Sequence, residues 1–171
     1  GLCDLLKSIQ EFSGVVKVRK AILAEHEREF GAESKDAGVA LFHLGNAYGD
    51  LGDNARRLAA LERALPICER EYGGDSAEVA GVLNGLSHAY GKLGNSAKKR
   101  DVLERSLPIM EREHGKESTN VASTLTNLGN AYGQLGDQAK KRDMLERALA
   151  IQERAYGRDH PNVANTLFNL G

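Results

Sequence analysis

At 171 residues and 41% hydrophobic content, the chain is long enough to build one domain-sized core. A net charge of −1 and a pI near 6.6 remove the bulk electrostatic attraction on which a general nucleic-acid or anionic-membrane binder depends. No 18-residue apolar run is present to cross a bilayer, and with aromatics at 5% and no tryptophan the core must rest on Leu, Ala, Val, Ile and Tyr.

Residues 1–35 read as a degenerate opening repeat. Leu2, Leu5, Leu6 and Ile9 fall on one helical face, and the run from Val15 to Gly31 matches later segments, ending Glu-Arg-Glu-Phe-Gly where the next ends Glu-Arg-Glu-Tyr-Gly. Full repeats follow at 36–74, 75–116 and 117–158, and residues 159–171 open a half repeat. The period is unambiguous: Leu44, Leu86, Leu128 and Leu170 are 42 residues apart, as are Tyr48, Tyr90 and Tyr132, and Gly52, Gly94 and Gly136. Between Leu86–His114 and Leu128–Tyr156, 18 of 29 positions are identical. Such a period marks a solenoid in which each unit buries its faces against its neighbours.

Within each repeat the apolar spacing predicts two helices, at 36–50 and 53–72, 76–91 and 95–114, and 119–133 and 137–156. Gly52, Gly94 and Gly136 make the turns between them, each followed by an Asp or Asn suited to cap the next helix. Gly73, Gly115 and Gly157 end the second helices, Asp75 and Ser118 are expected caps, and Pro161 suits a first helical position. Gly45 and Gly129 are expected where two helices approach closely. Pro66 and Pro108 fall inside second helices, where a bend or a local break is expected. The chain starts at Gly1 and stops within a repeat, which reads as a piece of something longer.

The run Leu125, Leu128, Gly129 and Tyr132, with Gly136, Leu145 and Ala148 downstream, resembles the tetratricopeptide repeat (TPR), with Leu in the usual tryptophan position. The 42-residue step, the Leu-Glu-Arg-Ala-Leu segment and the closing His-Pro-Asn-Val-Ala-Asn-Thr-Leu-Phe-Asn-Leu look most like the long repeats of kinesin light chains. The resemblance covers about residues 37–171 and implies an all-α, right-handed superhelical solenoid of antiparallel helix-turn-helix units. Two departures stand out. Arg57, Lys99 and Lys141 occupy the usual small position early in the second helix, and Glu69, Glu111 and Glu153 replace its terminal proline.

In this repeat class the first helices line the concave surface, which the resemblance implies is the partner site. Asn residues just before the Leu-Gly pair hold the backbone of an extended peptide in kinesin light chains; here Asn127 and Asn169 stand there, with His43 and Gly85 in the other repeats. One turn later come Asn46, His88 and Asn130. Phe42, Asp50, Asn84, Lys92 and Gln134 vary between repeats on the same helices and complete the candidate set. An amide row suits a main chain because each offers a donor and an acceptor; the same amides also suit bonds to neighbouring helices or solvent. Gly49, Gly91 and Gly133 after the tyrosines are expected to admit a ligand backbone.

Chemistry of other kinds finds no support. Arg56-Arg57, Lys98-Lys99-Arg100 and Lys140-Lys141-Arg142 form a repeating basic cluster, read as a solvated, salt-bridged face because Asp101, Glu104, Asp143 and Glu146 lie at pairing distance in sequence. His26, His43, His88, His114 and His160 make no metal motif, and Cys3 and Cys68 are read as reduced thiols of a cytoplasmic protein. Tyr48, Tyr90 and Tyr132, recurring at repeat spacing, are expected to pack in the core with their hydroxyls at a rim. No nucleophile elbow, P-loop or dinucleotide fingerprint is present, so neither an enzyme, a cofactor nor a metal is expected. The function expected is a protein-interaction scaffold holding a peptide or partner segment on the concave face, with no nucleic acid and no membrane involved. The alternative is end-to-end self-assembly as a homo-oligomer through the open terminal face of Leu167, Phe168 and Leu170.

Overall fold

The structure, a computed structural model, describes residues 2–171, with side chains from residue 11 onward, so the predicted face of Leu2, Leu5, Leu6 and Ile9, and Cys3, lies outside the described residues. Among the described residues there are eight helices and no strand. They fall into two compact units, Gly1–Leu93 and Gly94–Gly171.

The first unit holds α1 (Leu2–Phe30), α2 (Lys35–Asp50), α3 (Asn54–Tyr72) and α4 (Ala77–Lys92). Each packs against the next, and α2 also touches α4. The opening repeat is one continuous helix of 29 residues rather than a pair, because nothing at Ser13-Gly14 turns the chain. The second unit holds α5 (Ser96–His114), α6 (Thr119–Gln134), α7 (Gln138–Tyr156) and α8 (Pro161–Leu170), again packed in sequence order. The predicted helix limits hold to within a residue.

The helix ends follow one rule. After each second helix a glycine with positive φ (Gly73 at +88°, for example) sends its N–H back to the carbonyl of Glu69, 3.0 Å away, in a conformation that a side chain would strain. The next cap comes three residues later: Ser34, Ser76 and Ser118 each accept the N–H three residues on, at 3.2–3.3 Å, and His160 caps α8 ahead of Pro161. The expectation of Asp75 as a cap is therefore corrected to Ser76, since the turn needs both Gly74 and Asp75 before the helix can start. Asp53, Asn95 and Asp137 cap the second helices as expected. Pro66 and Pro108 do not break α3 or α5. Both sit on exposed faces, where the carbonyl four residues back faces no buried environment in which to be stranded.

Close packing is set by a leucine knob in a glycine notch. A Cβ on Gly45 would stand 2.8 Å from Leu61 Cδ2, and one on Gly129 would stand 2.8 Å from Leu145 Cγ. Leu61 and Leu145 are fully buried. Leu61 also fills a notch at Gly85 on α4, with 2.7 Å to a Cβ there, so one side chain locks α3 to both first helices of its unit.

The departure at Arg57 and Lys141 is explained in the same way. A Cβ at Gly49 would lie 2.6 Å from Arg57 Nη1, and one at Gly133 would lie 2.9 Å from Lys141 Cδ. The small residue has moved from the second helix to the first. Gly49 and Gly133 are thus notches for the chain's own cations, not approaches for a ligand backbone. Burial holds the Arg57 guanidinium below its usual pKa, opposed by Asp50, and its Nε is buried without a hydrogen-bond partner among the described residues.

Candidate binding hollows on the first helices

Each unit has a hollow on its first helices, and the two are built at the same repeat positions. In the first unit, Val39, Phe42 and His43 on α2, Cys68 and Tyr72 on α3, and Ala77, Glu78, Gly81 and Val82 on α4 enclose about 440 Å³. In the second unit, Ser123, Thr126 and Asn127 on α6, Gln152 on α7, and Asn162, Asn165 and Thr166 on α8 enclose about 190 Å³. Every residue of the second set stands 84 positions, two repeats, after a member of the first. The frame is the same and the chemistry is opposite. Val39 becomes Ser123, Phe42 becomes Thr126, Cys68 becomes Gln152, Gly81 becomes Asn165 and Val82 becomes Thr166.

The first hollow is apolar with polar edges. Phe42 lies beside Gly81, whose missing side chain leaves the ring edge 3.6 Å from where a Cβ would be. His43 lies at the mouth with its ring centroid 5.6 Å from that of Phe42. Partial burial, and then the charge of Arg19, hold His43 below its usual pKa, so it is neutral at pH 7. Cys68 is 3% exposed; burial, then Glu78 and Glu69, push its thiol up, which leaves it unreactive at neutral pH. Lys35 Nζ sits 4.6 Å from the Tyr72 ring centroid and covers one of its faces. The second hollow is lined by hydroxyls and amides, with no charged and no aromatic side chain.

The structure brings Phe42 and His43 together in one hollow and sets Asn127 in the other. Asn46 and Asn130 are half-buried one turn further along α2 and α6, on the same faces. Asn84 is half-buried on α4, where its carbonyl accepts the Ser87 hydroxyl at 2.8 Å, and His88 and Lys92 are exposed beyond it. Asp50 is exposed at the end of α2. Gln134 is already engaged, accepting the Ser96 hydroxyl at 2.8 Å. Asn169 is half-buried on α8 outside the hollow. Leu167 and Phe168 are 48% and 84% exposed, and Leu170 edges a separate depression with Gln138, Ala139, Lys141 and Arg142. Sequence reasoning missed Cys68, Gln152, Asn162, Asn165 and Thr166; aligning residues 39–82 with 123–166 and looking for polarity reversals would have found them.

Around the hollows, Tyr48, Tyr90 and Tyr132 are buried as expected. The Tyr90 hydroxyl donates to Glu62 at 2.7 Å, and the Tyr132 hydroxyl donates to Glu104. Burial first, and then the carboxylate partner, push both phenols up to about 12. The basic clusters pair locally, Arg56 with Asp53 at 3.0 Å and Arg100 with Asp101. No helix among the described residues is long and apolar enough to cross a membrane.

Antiparallel helix pairs, repeated at a fixed step and exposing a hollow on their first helices, define a helical-repeat protein of the interaction-scaffold kind. A tetratricopeptide repeat model matches residues 40–78 and 121–162, and a second such model matches residues 79–140. The chain belongs to the tetratricopeptide repeat family. No curated protein sequence matches it. Among solved structures it is similar to the nearly identical TPR-like repeats of a candidate kinesin light chain from Podosopora anserina, at 19% identity and a TM-score of 0.79, covering 96% of this chain and 79% of that one. A point variant of that protein gives a TM-score of 0.80 at the same identity, covering 96% of this chain and 78% of that one. BtubC (BKLC) from P. vanneervenii aligns at 24% identity with a TM-score of 0.80, covering 99% of this chain and 67% of that chain. These likenesses establish the fold as that of kinesin light chain-like TPR arrays.

Proposed function

We propose that the chain is a protein-interaction scaffold that holds an extended segment of a partner protein on the face formed by its first helices. The observation that carries this reading is the recurrence of one hollow at equivalent repeat positions in both units, each open on first helices and edged by half-buried side chains. Asn127 and Asn130 in the second unit, and Asn46 in the first, supply amides that serve a main chain irrespective of its side chains. Phe42, His43, Asp50, Asn84, His88, Lys92, Gln134 and Asn169 give the face its repeat-to-repeat differences. A cytoplasmic setting and a non-catalytic role belong to the same reading, the former supported by the free thiol of Cys68. Selection of a displayed random-peptide library on the chain, counter-selected on Asn127→Ala/Asn130→Ala, tests it. Peptides that bind the chain and not the variant support the groove. Enrichment indifferent to the variant overturns it.

A second reading rests on α8. Leu41, Leu83 and Leu125 are fully buried, whereas Leu167 at the same repeat position is half-exposed beside Phe168. Self-association through Leu167, Phe168 and Leu170 follows from that face. A mass that rises with concentration, and reverts to monomer in Leu167→Ser/Phe168→Ser, supports it; a steady monomer sinks it.

A further inference from the structure

Resting on the groove reading, we propose that the hollow of the second unit is a subsite for the carboxamide side chain of an Asn or Gln in the partner segment. Its floor is a polar network centred on Gln152, a position that the other repeats fill with Met110 or Cys68. Gln152 is 5% exposed and Thr166 is fully buried, yet the same positions carry Met110 or Cys68 and Thr124 or Val82 elsewhere. A packed core does not require a carboxamide there, and burying one is unfavourable unless its groups are bonded.

Donation runs one way through the network. Thr166 Oγ1 donates to Gln152 Oε1 at 2.7 Å, Gln152 Nε2 donates to Thr126 Oγ1 at 3.5 Å, and Thr126 Oγ1 donates to the Ala122 carbonyl at 2.9 Å. This order sets the amide orientation. A primary amide nitrogen carries two hydrogens, and the one bond to Thr126 is long, so the Gln152 nitrogen keeps donor capacity at the floor of the hollow.

The rim selects in the same direction. Asn127, Asn162 and Asn165 each offer both a donor and an acceptor, and Ser123, whose hydroxyl donates to Thr119 O at 3.0 Å, retains its acceptor side. A carboxylate or ammonium would meet no countercharge in the lining to offset even partial loss of its water. An apolar side chain would strand the floor donor. A carboxamide matches both: its oxygen takes the Gln152 N–H and its nitrogen reaches the rim oxygens. The hollow of about 190 Å³ is the size of a side-chain site, not of a chain segment.

The test is a random-peptide display selection on the whole chain and on three variants, Asn127→Ala/Asn130→Ala, Gln152→Met/Thr166→Val and Asn165→Ala. Peptides enriched on the parent and lost on Asn127→Ala/Asn130→Ala are expected to share an Asn or Gln. Replacing that residue by Ala should weaken binding about tenfold to the parent, the loss of one or two buried hydrogen bonds, and leave binding to Gln152→Met/Thr166→Val unchanged. If that double variant fails to melt cooperatively, Asn165→Ala, which alters only an exposed rim residue, carries the same comparison. Groove-dependent peptides without an Asn or Gln preference, or with equal losses on every protein, overturn the subsite and leave the groove standing. Absence of any peptide sensitive to Asn127→Ala/Asn130→Ala overturns both.

Discussion

The two hollows share a backbone and differ in almost every side chain that faces them. Where the first unit places Phe42, Cys68 and Val82, the second places Thr126, Gln152 and Thr166. The comparison separates two jobs that a repeat sequence does at once. Residues kept at the 42-residue step build the frame, and residues that change polarity at the same step decide what the frame accepts. A mixed amphipathic helix needs only one of its stripes to hold the fold, so the stripe facing the hollow is free to diverge.

The largest effect should come from the shared frame. Leu61→Ala and Leu145→Ala each empty a glycine-lined notch and are expected to cost about 3 kcal/mol in denaturant unfolding. A cost below about 1 kcal/mol at either site would mean that the two hollows do not rest on equivalent packing.

Exchanging the floors comes next. Cys68→Gln places a carboxamide among Phe42 and Val82 and is expected to cost about 2 kcal/mol. Gln152→Met alone strands the Thr166 hydroxyl, at about 1–2 kcal/mol, whereas Gln152→Met with Thr166→Val should return close to the parent, because both partners are then apolar. Additive losses in that double-mutant cycle would show that the network is not coupled.

The tyrosines give a smaller effect and a pH signature. Tyr90→Phe and Tyr132→Phe should each cost about 1 kcal/mol. Both phenols are pushed up to about 12 from 10, so folding favours their protonated forms. Their contribution is complete below pH 10 and is lost as pH rises toward 12. Tyrosinate absorbance of Tyr90 and Tyr132, isolated by difference from their Phe variants and followed with helix content above pH 10, should show late ionisation coupled to unfolding; their ionisation near pH 10 with helices intact would contradict it.

The smallest effect concerns the mouth of the first hollow. His43 should titrate below 6.5 by NMR, and Arg19→Gln should move it partway back, since burial is the larger cause and Arg19 the lesser. Peptide binding in the first unit should then be flat from pH 7 to 8, and a step in that range assigned to His43 would contradict the neutral reading.

Much of this was legible in advance. The helix pairs, the buried tyrosines, the notches at Gly45 and Gly129 and the caps at Asp53, Asn95, Asp137 and Ser118 follow from the chain because each is a local or periodic property. Ser76 was missed by one residue, as cap position depends on how many residues the turn consumes. Gly49 and Gly133 were misread as openings for a ligand, because the cations that fill them lie eight positions away on the other helix of the pair.

By itself, the sequence determined the repeat and the all-α class, since a 42-residue period with two helical stripes has few ways to bury its apolar surface, while the family rested on the resemblance carried by Leu125, Leu128, Gly129 and Tyr132. Only tertiary structure decided which side chains meet: Arg57 against Gly49, Leu61 between Gly45 and Gly85, Gln152 between Thr126 and Thr166. Those contacts join helices whose separation and rotation are set by packing, and a hydrogen bond or a notch exists only at the distances that packing allows.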